Sequence, residues 1–329
     1  MWARLSSAVL KKMMKVLCGT DFSELSREAA EVAAYAAARL KAPLTLVHCV
    51  TDWLAPMHSP TSSHFEAPAM SMLNTMVDHI CAPGQRVELK VFHGNASHHL
   101  AASANSDAAL VVLGATGKGI AGRLLIGSVA EQVAETVSSP VLVVRKAEPL
   151  RQWLVHGAPL RVLCVSALSE CEESLRTAIT GLLLLGPLHL ECAHIVEGSA
   201  LLLQSSARVP EQAELAFLTR GEIKSLQEQL RQRCTESVGI APTMTYVRQS
   251  LGNPAYDLVR LAHEEKADLI LVGSHHKHGL QRLMHPSFSR RVLAHADTNV
   301  LCVHLGAADQ NPVPALSKEA TGVGPIEEA

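Results

Sequence analysis

Two stretches of this chain share one register. Lys15-Val16-Leu17-Cys18-Gly19-Thr20-Asp21-Phe22-Ser23-Glu24 is matched by Arg161-Val162-Leu163-Cys164-Val165-Ser166-Ala167-Leu168-Ser169-Glu170, with Asp21 replaced by Ala167. Further on, Gly114-x-x-Gly117, nine residues and Gly127-Ser128 correspond to Gly273-x-x-His276, nine residues and Pro286-Ser287. The offset is 146 at the first motif and 159 at the second, so the second copy carries about 13 extra residues, expected in the polar stretch from Ser199 to Arg233. A repeat this long means two duplicated domains rather than a solenoid of short units. A chain of 329 residues suits that division, with a core of its own in each half.

Within the first copy, apolar runs alternate with helical patterns. Strands are expected over 15–20, 44–50, 87–92, 109–113 and 141–144, and helices over 24–40, 69–80, 96–105 and 129–137. Ser23 is placed to cap the first helix. Residues 51–68, rich in Pro, Ser and His, read as a loop. The second copy repeats the strands at 161–165, 188–195, 244–248, 269–272 and 300–303. Strands that are apolar throughout fit a parallel sheet buried on both faces. The expected fold is α/β: two tandem doubly wound parallel five-stranded sheets flanked by helices. The domains span 14–146 and 159–305, with a linker at 146–159 containing Pro149 and Pro159, and a disordered tail over 306–329.

Composition excludes several functions. The net charge of −2 supplies no basic field for nucleic acid or anionic lipid, and 3% aromatic residues supply no base-stacking platform. No run approaches the ~18 apolar residues of a membrane helix. The order of charge in Met1 to Lys15 is wrong for a signal peptide. Eight cysteines occur without a C-x-x-C pair, and Cys18, Cys164, Cys192 and Cys302 lie in strand-like runs. They read as buried free thiols in a reducing compartment, hence a cytoplasmic protein.

Ligands of open parallel sheets sit outside the carboxyl ends of the strands. Strand one ends at Gly19-Thr20-Asp21 and strand two near Cys49. Strand four runs through Leu113 into Gly114-Ala115-Thr116-Gly117-Lys118-Gly119. Glycines let the backbone turn tightly and approach a ligand closely. Gly127-Ser128, followed by Val129, opens a helix whose free N–H groups and positive dipole end attract phosphate. Asp21 can accept hydrogen bonds from ribose hydroxyls, or serve as a turn residue or helix cap. Lys118 can neutralise phosphate or stand as a solvated loop charge.

Other motifs compete. Gly117-x-Gly119-x-x-Gly122 matches the dinucleotide fingerprint, and Arg145 stands where a partner for a 2′-phosphate belongs. However, the match falls in the fourth unit of the domain and offers no acidic ribose partner. An NADP-dependent oxidoreductase is therefore the second reading. A Walker A loop fails because position 112 is Val where Gly is required. His275, His276 and His278 lack a Cys or carboxylate at ligand spacing, so no metal is expected. His98 and His99 read as solvent-facing, and His48 as a hydrogen-bonded core residue. No spacing pairs a nucleophile with a base, so no catalytic residue is assigned.

The motif set resembles the universal stress protein family. The resemblance rests on VLCGTDFSE (16–24), LTLVHCV (44–50), VFHGNA (91–96), GATGKGIAGRLLIGSVAEQV (114–133) and SPVLVVRK (139–146), and extends over both copies. It implies a domain that binds ATP, with Mg2+ as an accompanying ion. Asp21 would contact ribose and Cys49 would meet adenine through its backbone. Gly114, Gly117, Gly127 and Ser128 would hold the phosphates, with Val129 alongside; Gly19 and Cys49 depart from the usual residues. It also implies pairing through the last strand, so that 141–144 and 300–303 meet within one chain. Copy two, lacking the Asp and two of the glycines, is expected not to bind ATP in the same way. The expected role is nucleotide-dependent signalling or protein binding in a stress response, with a protein partner or a homodimer and at most slow ATP hydrolysis. A ligand-free interaction scaffold is the third reading.

Overall fold

A computed structural model describes residues 15–50, 63–104, 108–117, 126–165, 172–197, 217–274 and 287–304. The first half runs β1 (Lys15–Thr20), α1 (Glu24–Leu40), β2 (Leu44–Val50), α2 (Ser63–Ile80), β3 (Val87–His93), α3 (Ala96–Ala104), β4 (Ala108–Gly114), α4 (Ser128–Thr136) and β5 (Val141–Val144). Helix α5 (Ala147–His156) leads into the second half: β6 (Leu160–Val165), α6 (Glu172–Leu185), β7 (Leu188–Glu197), α7 (Arg220–Val238), β8 (Met244–Ser250), α8 (Pro254–Glu264), β9 (Leu269–Ser274), α9 (Phe288–His295) and β10 (Asn299–His304).

The ten strands form one sheet in the order β3-β2-β1-β4-β5-β10-β9-β6-β7-β8. Each half is a parallel five-stranded unit of the same order. The halves join through antiparallel pairing of β5 with β10, which sets Val143 opposite Val300, Leu142 opposite Leu301 and Val141 opposite Cys302. The pairing expected for the two last strands is thus made within one chain. Its physical reason is that the apolar runs of two edge strands, Val141–Val144 and Val300–Val303, cover one another.

Side chains alternate between two cores, one on each face of the sheet. Val16 and Cys18 enter the core under α1, α2, α5, α6 and α7, and Leu17 enters the core under α3, α4, α8 and α9. Both cores run across the β5–β10 seam. Helix α1 lies close against β1 and β4 because its buried face is built from Ala29, Ala30, Ala33, Ala34, Ala36 and Ala37. Ser23 caps it as expected, its side chain accepting from the Ser26 N–H, and Lys41 closes it in the left-handed region at φ 55°.

Two segments differ from the sequence reading. The expected linker is the helix α5, with Leu150, Trp153 and Leu154 buried on one face at i, i+3 and i+4. Pro149 falls in its first turn, where a missing N–H costs no internal bond, and Gly157 ends it at φ 71°. Helix α2 begins at Ser63, ahead of the expected start at 69, and carries Pro68 inside it. The polar stretch assigned to the insertion falls partly in α7, which opens with a reciprocal Thr219–Glu222 cap. Residues 198–216 and the tail after 304 lie outside the described residues.

Candidate functional site

In each half the strand order reverses between its first and fourth strands, the place where ligands of open α/β sheets bind. In the first half a cleft of about 270 Å³ lies there. Gly19, Thr20, Asp21, Cys49, Leu113, Gly114, Gly117, Gly127, Ser128 and Val129 all line it. Of the residues expected to hold the nucleotide, Lys118 lies outside the described residues. Ser26, Val47, Ala96, Leu100, Thr116 and Ala130 complete the lining. Their positions follow from strand and helix periodicity. Val47 shares a strand face with Cys49, two residues on. Ala96 and Leu100 are one helical turn apart on the element that follows strand three.

The turn from β1 into α1 is held by a relay of hydroxyls. The Phe22 N–H donates to Thr20 Oγ1 at 3.0 Å, Thr20 Oγ1 and Ser26 Oγ lie 3.0 Å apart, and Ser26 Oγ donates to the Ser23 carbonyl at 3.0 Å. Phe22 sits at φ 63°, a left-handed conformation rare for an aromatic residue. Its ring lies 4.4 Å from the His48 ring, and His48 Nδ1 donates to the Thr20 carbonyl at 2.8 Å. His48 is thus the hydrogen-bonded residue expected, half-buried rather than fully so. Asp21 serves the turn as well as the cleft: Oδ1 accepts from the Ser23 N–H at 3.0 Å and from Ser23 Oγ at 2.6 Å.

Close packing explains three glycines. A Cβ on Gly117 would stand 2.5 Å from Asp21 Oδ2. One on Gly114 would stand 3.2 Å from the Leu25 carbonyl and the Ser26 nitrogen, where α1 begins. One on Gly19 would reach 2.9 Å from Leu100 and Leu113. The loop after β4 closes where the Gly127 N–H donates to the Ala115 carbonyl at 2.7 Å. Gly127 then caps α4 without any side-chain hydrogen bond, and Gly127, Ser128, Val129 and Ala130 turn the helix N-terminus into the cleft. Burial pushes the Cys49 thiol up to about 11, which makes it a poor nucleophile at neutral pH.

The matching helix of the second half is capped differently. Ser287 Oγ accepts the Arg290 N–H at 3.2 Å and lies 3.1 Å from Ser289 Oγ. A serine of the chain itself thus takes up a donor of α9, where α4 offers glycine. Ala167, His276 and Pro286, the replacements noted in this copy, lie outside the described residues, as do His275 and His278.

Other singled-out residues are scattered. Arg145 faces the seam, with Nη2 donating to the Leu293 carbonyl of the second half at 2.8 Å, and it does not line the cleft. Gly119 and Gly122 of the dinucleotide motif lie outside the described residues. His98 is exposed as expected, whereas His99 stacks on Phe92 at 4.6 Å and reaches the His93 carbonyl. Among the described residues no metal-ligating cluster occurs, and no helix is long and apolar enough to cross a membrane. The described cysteines are all free thiols.

Comparison with curated proteins finds no match. Among solved structures, a universal stress protein from Archaeoglobus fulgidus DSM 4304 aligns at 17% identity and TM-score 0.63, over 89% of this chain and 98% of that one. A putative universal stress protein from Pseudomonas aeruginosa UCBPP-PA14 aligns at 14% identity and TM-score 0.54, over 90% and 95%. Likeness at such identities speaks to the fold. The profile of the Universal stress protein family matches residues 13–145 and again 160–304, one match for each half of the sheet. Sequence profile and architecture therefore agree that this chain belongs to the universal stress protein family, with two tandem domains.

Proposed function

We propose that the first domain binds ATP, with Mg2+, in the cleft between the ends of β1 and β4, and that the protein acts in a stress response by nucleotide-dependent signalling or protein binding. The observation that carries this reading is the N-terminus of α4: glycine caps it without a side-chain cap hydrogen bond, and it faces the cleft beside Asp21. Backbone N–H groups and the helix dipole there suit phosphate. The apolar wall of Val47, Leu100 and Leu113 suits adenine, and Asp21 suits ribose hydroxyls. The glycine cradle at Gly114 and Gly117 lets a polyphosphate approach the backbone. The second domain, whose α9 is capped by its own serine, binds no ATP in this manner and acts as a paired partner. Free thiols fit a reducing compartment such as the cytoplasm. Signalling or protein binding rather than turnover is its main work in this reading, and among the described residues that line the cleft no nucleophile is hydrogen-bonded to a histidine or lysine base.

Thermal unfolding with and without millimolar ATP–Mg2+, against NADPH, tests the reading. A ligand that binds only the native state stabilises it by about 2.7 kcal/mol at a hundredfold excess over Kd. Stabilisation by ATP alone supports the proposal. Stabilisation by NADPH alone points to the oxidoreductase, and stabilisation by neither, with no nucleotide released on denaturation, points to a ligand-free scaffold.

A further inference from the structure

The helix that opens on the cleft carries an acid in its first turn. Glu131 belongs to the turn whose residues Ser128, Val129 and Ala130 line the cleft. A carboxylate there favours the helix itself but opposes any polyanion seated on the same dipole. The counter-charge comes from the other domain. Arg290, in the first turn of α9, directs Nε onto Glu131 Oε1 and lies 3.8 Å from Glu135 Oε1, one turn further along α4. With the offset of 159, Arg290 and Glu131 occupy the same position of the two copies. Pairing like copies would set Glu against Glu or Arg against Arg, whereas pairing the unlike copies sets opposite charges together.

We propose that Arg290 is a positioning residue for the phosphates bound by the first domain. By neutralising Glu131 and Glu135 from behind, it sets the anion affinity of the α4 N-terminus. The second domain thereby contributes to a site it does not itself contain. Coupling of this kind is reciprocal, so a bound polyphosphate also strengthens the pairing of the two domains. The inference rests on the ATP reading of the cleft.

The test compares ATP–Mg2+ with adenosine, which shares the base and ribose but carries no phosphate. Titration calorimetry on the full chain would be run for wild type, R290Q, E131Q and the double variant. R290Q should lose about fivefold in ATP affinity and nothing in adenosine affinity, the loss shrinking as salt is raised. The double variant should return to within about twofold of wild type, because losing one carboxylate together with the guanidinium restores the net charge beside the α4 N-terminus. Equal losses for both ligands would mean that Arg290 acts through folding alone, and would overturn the inference. So would an R290Q protein that binds ATP as wild type does, or a double variant that fails to recover. A wild-type protein that binds neither ligand overturns the ATP reading itself, an outcome distinct from the others.

Discussion

Asn299 and Arg145 stand on opposite sides of the seam between the two copies, and Asn299 Oδ1 accepts the Arg145 backbone N–H at 2.9 Å. The same oxygen accepts the Lys146 N–H at 3.0 Å. Nδ2 donates to the Lys146 carbonyl at 3.0 Å and to the Asp268 carbonyl at 2.9 Å. Four bonds satisfy the amide completely, and Asn299 is fully buried. The position 159 residues earlier is Pro140, which has no amide side chain to offer, so this lock acts from one side only. Asn299→Ala should leave buried backbone donors unsatisfied and cost about 1–3 kcal/mol. Urea unfolding reads this as a lowered midpoint. A midpoint equal to wild type would show that the seam does not depend on the amide.

Two glycines of the cleft should fail in different ways. In Gly117→Ala the new Cβ meets only the end of the Asp21 side chain, at 2.5 Å, and that side chain can swing aside. The unliganded protein should lose only about 1 kcal/mol, as Asp21 loosens its bonds to Ser23 at the surface of the turn, while ATP affinity falls at least tenfold. In Gly114→Ala the new Cβ meets backbone of α1 at 3.2 Å, which cannot move alone, so the cost should be stability, about 1–3 kcal/mol. Thermal scans of both variants with and without ATP–Mg2+ separate the outcomes. Equal loss of fold stability in both would sink the distinction.

The parts of this molecule that were legible from the sequence are those governed by short-range rules. Apolar runs marked the inner strands, Ser23 marked the start of α1, and the paired glycines with Asp21 fell at the cleft. Helix α5 was hidden because Pro149 and Pro159 suggest a break, although a proline in a first turn is tolerated. Arg145 at the end of β5 suggested a ligand contact, but the β5–β10 pairing turns it toward the other half. The Glu131–Arg290 pair was hidden for a related reason. Each residue looks like an ordinary helix surface charge until the two copies face one another. Only the offset of 159, applied to both, brings them to one place.

Buried thiols give the protein an alkaline weakness. Burial pushes the Cys18 and Cys302 thiols up to about 12 from an ordinary 9.0. Above pH 9 the unfolded chain releases these protons and the folded chain keeps them. Folding stability is therefore fully present below pH 9 and declines as pH rises toward 12. Each of the two thiols adds up to about 1.4 kcal/mol per pH unit to the slope. Denaturant midpoints between pH 8 and 10.5 should fall, and the fall should be shallower in Cys18→Ala or Cys302→Ala. A slope unchanged by both substitutions would assign the effect to other groups.

Trp153 offers a test of whether the segment between the copies is a tether or part of the core. It is 2% exposed, on α5, between Leu150 and Leu154 of the same buried face. Gly186, at the end of α6, makes room for the ring, since a Cβ there would lie 2.5 Å from Trp153 Nε1. That nitrogen is buried and has no hydrogen-bond partner among the described residues. Trp153→Ala should therefore cost about 3–5 kcal/mol through lost contacts and the cavity left behind. Trp153→Phe should cost much less, under about 1.5 kcal/mol, because removing an unpaired buried N–H offsets part of the lost area. Gly186→Ala should destabilise by about 1–3 kcal/mol, since the indole has no room to retreat. All three are read from equilibrium unfolding of the full chain. A flexible tether would make all three neutral, and an alanine variant as stable as the phenylalanine variant would remove α5 from the core.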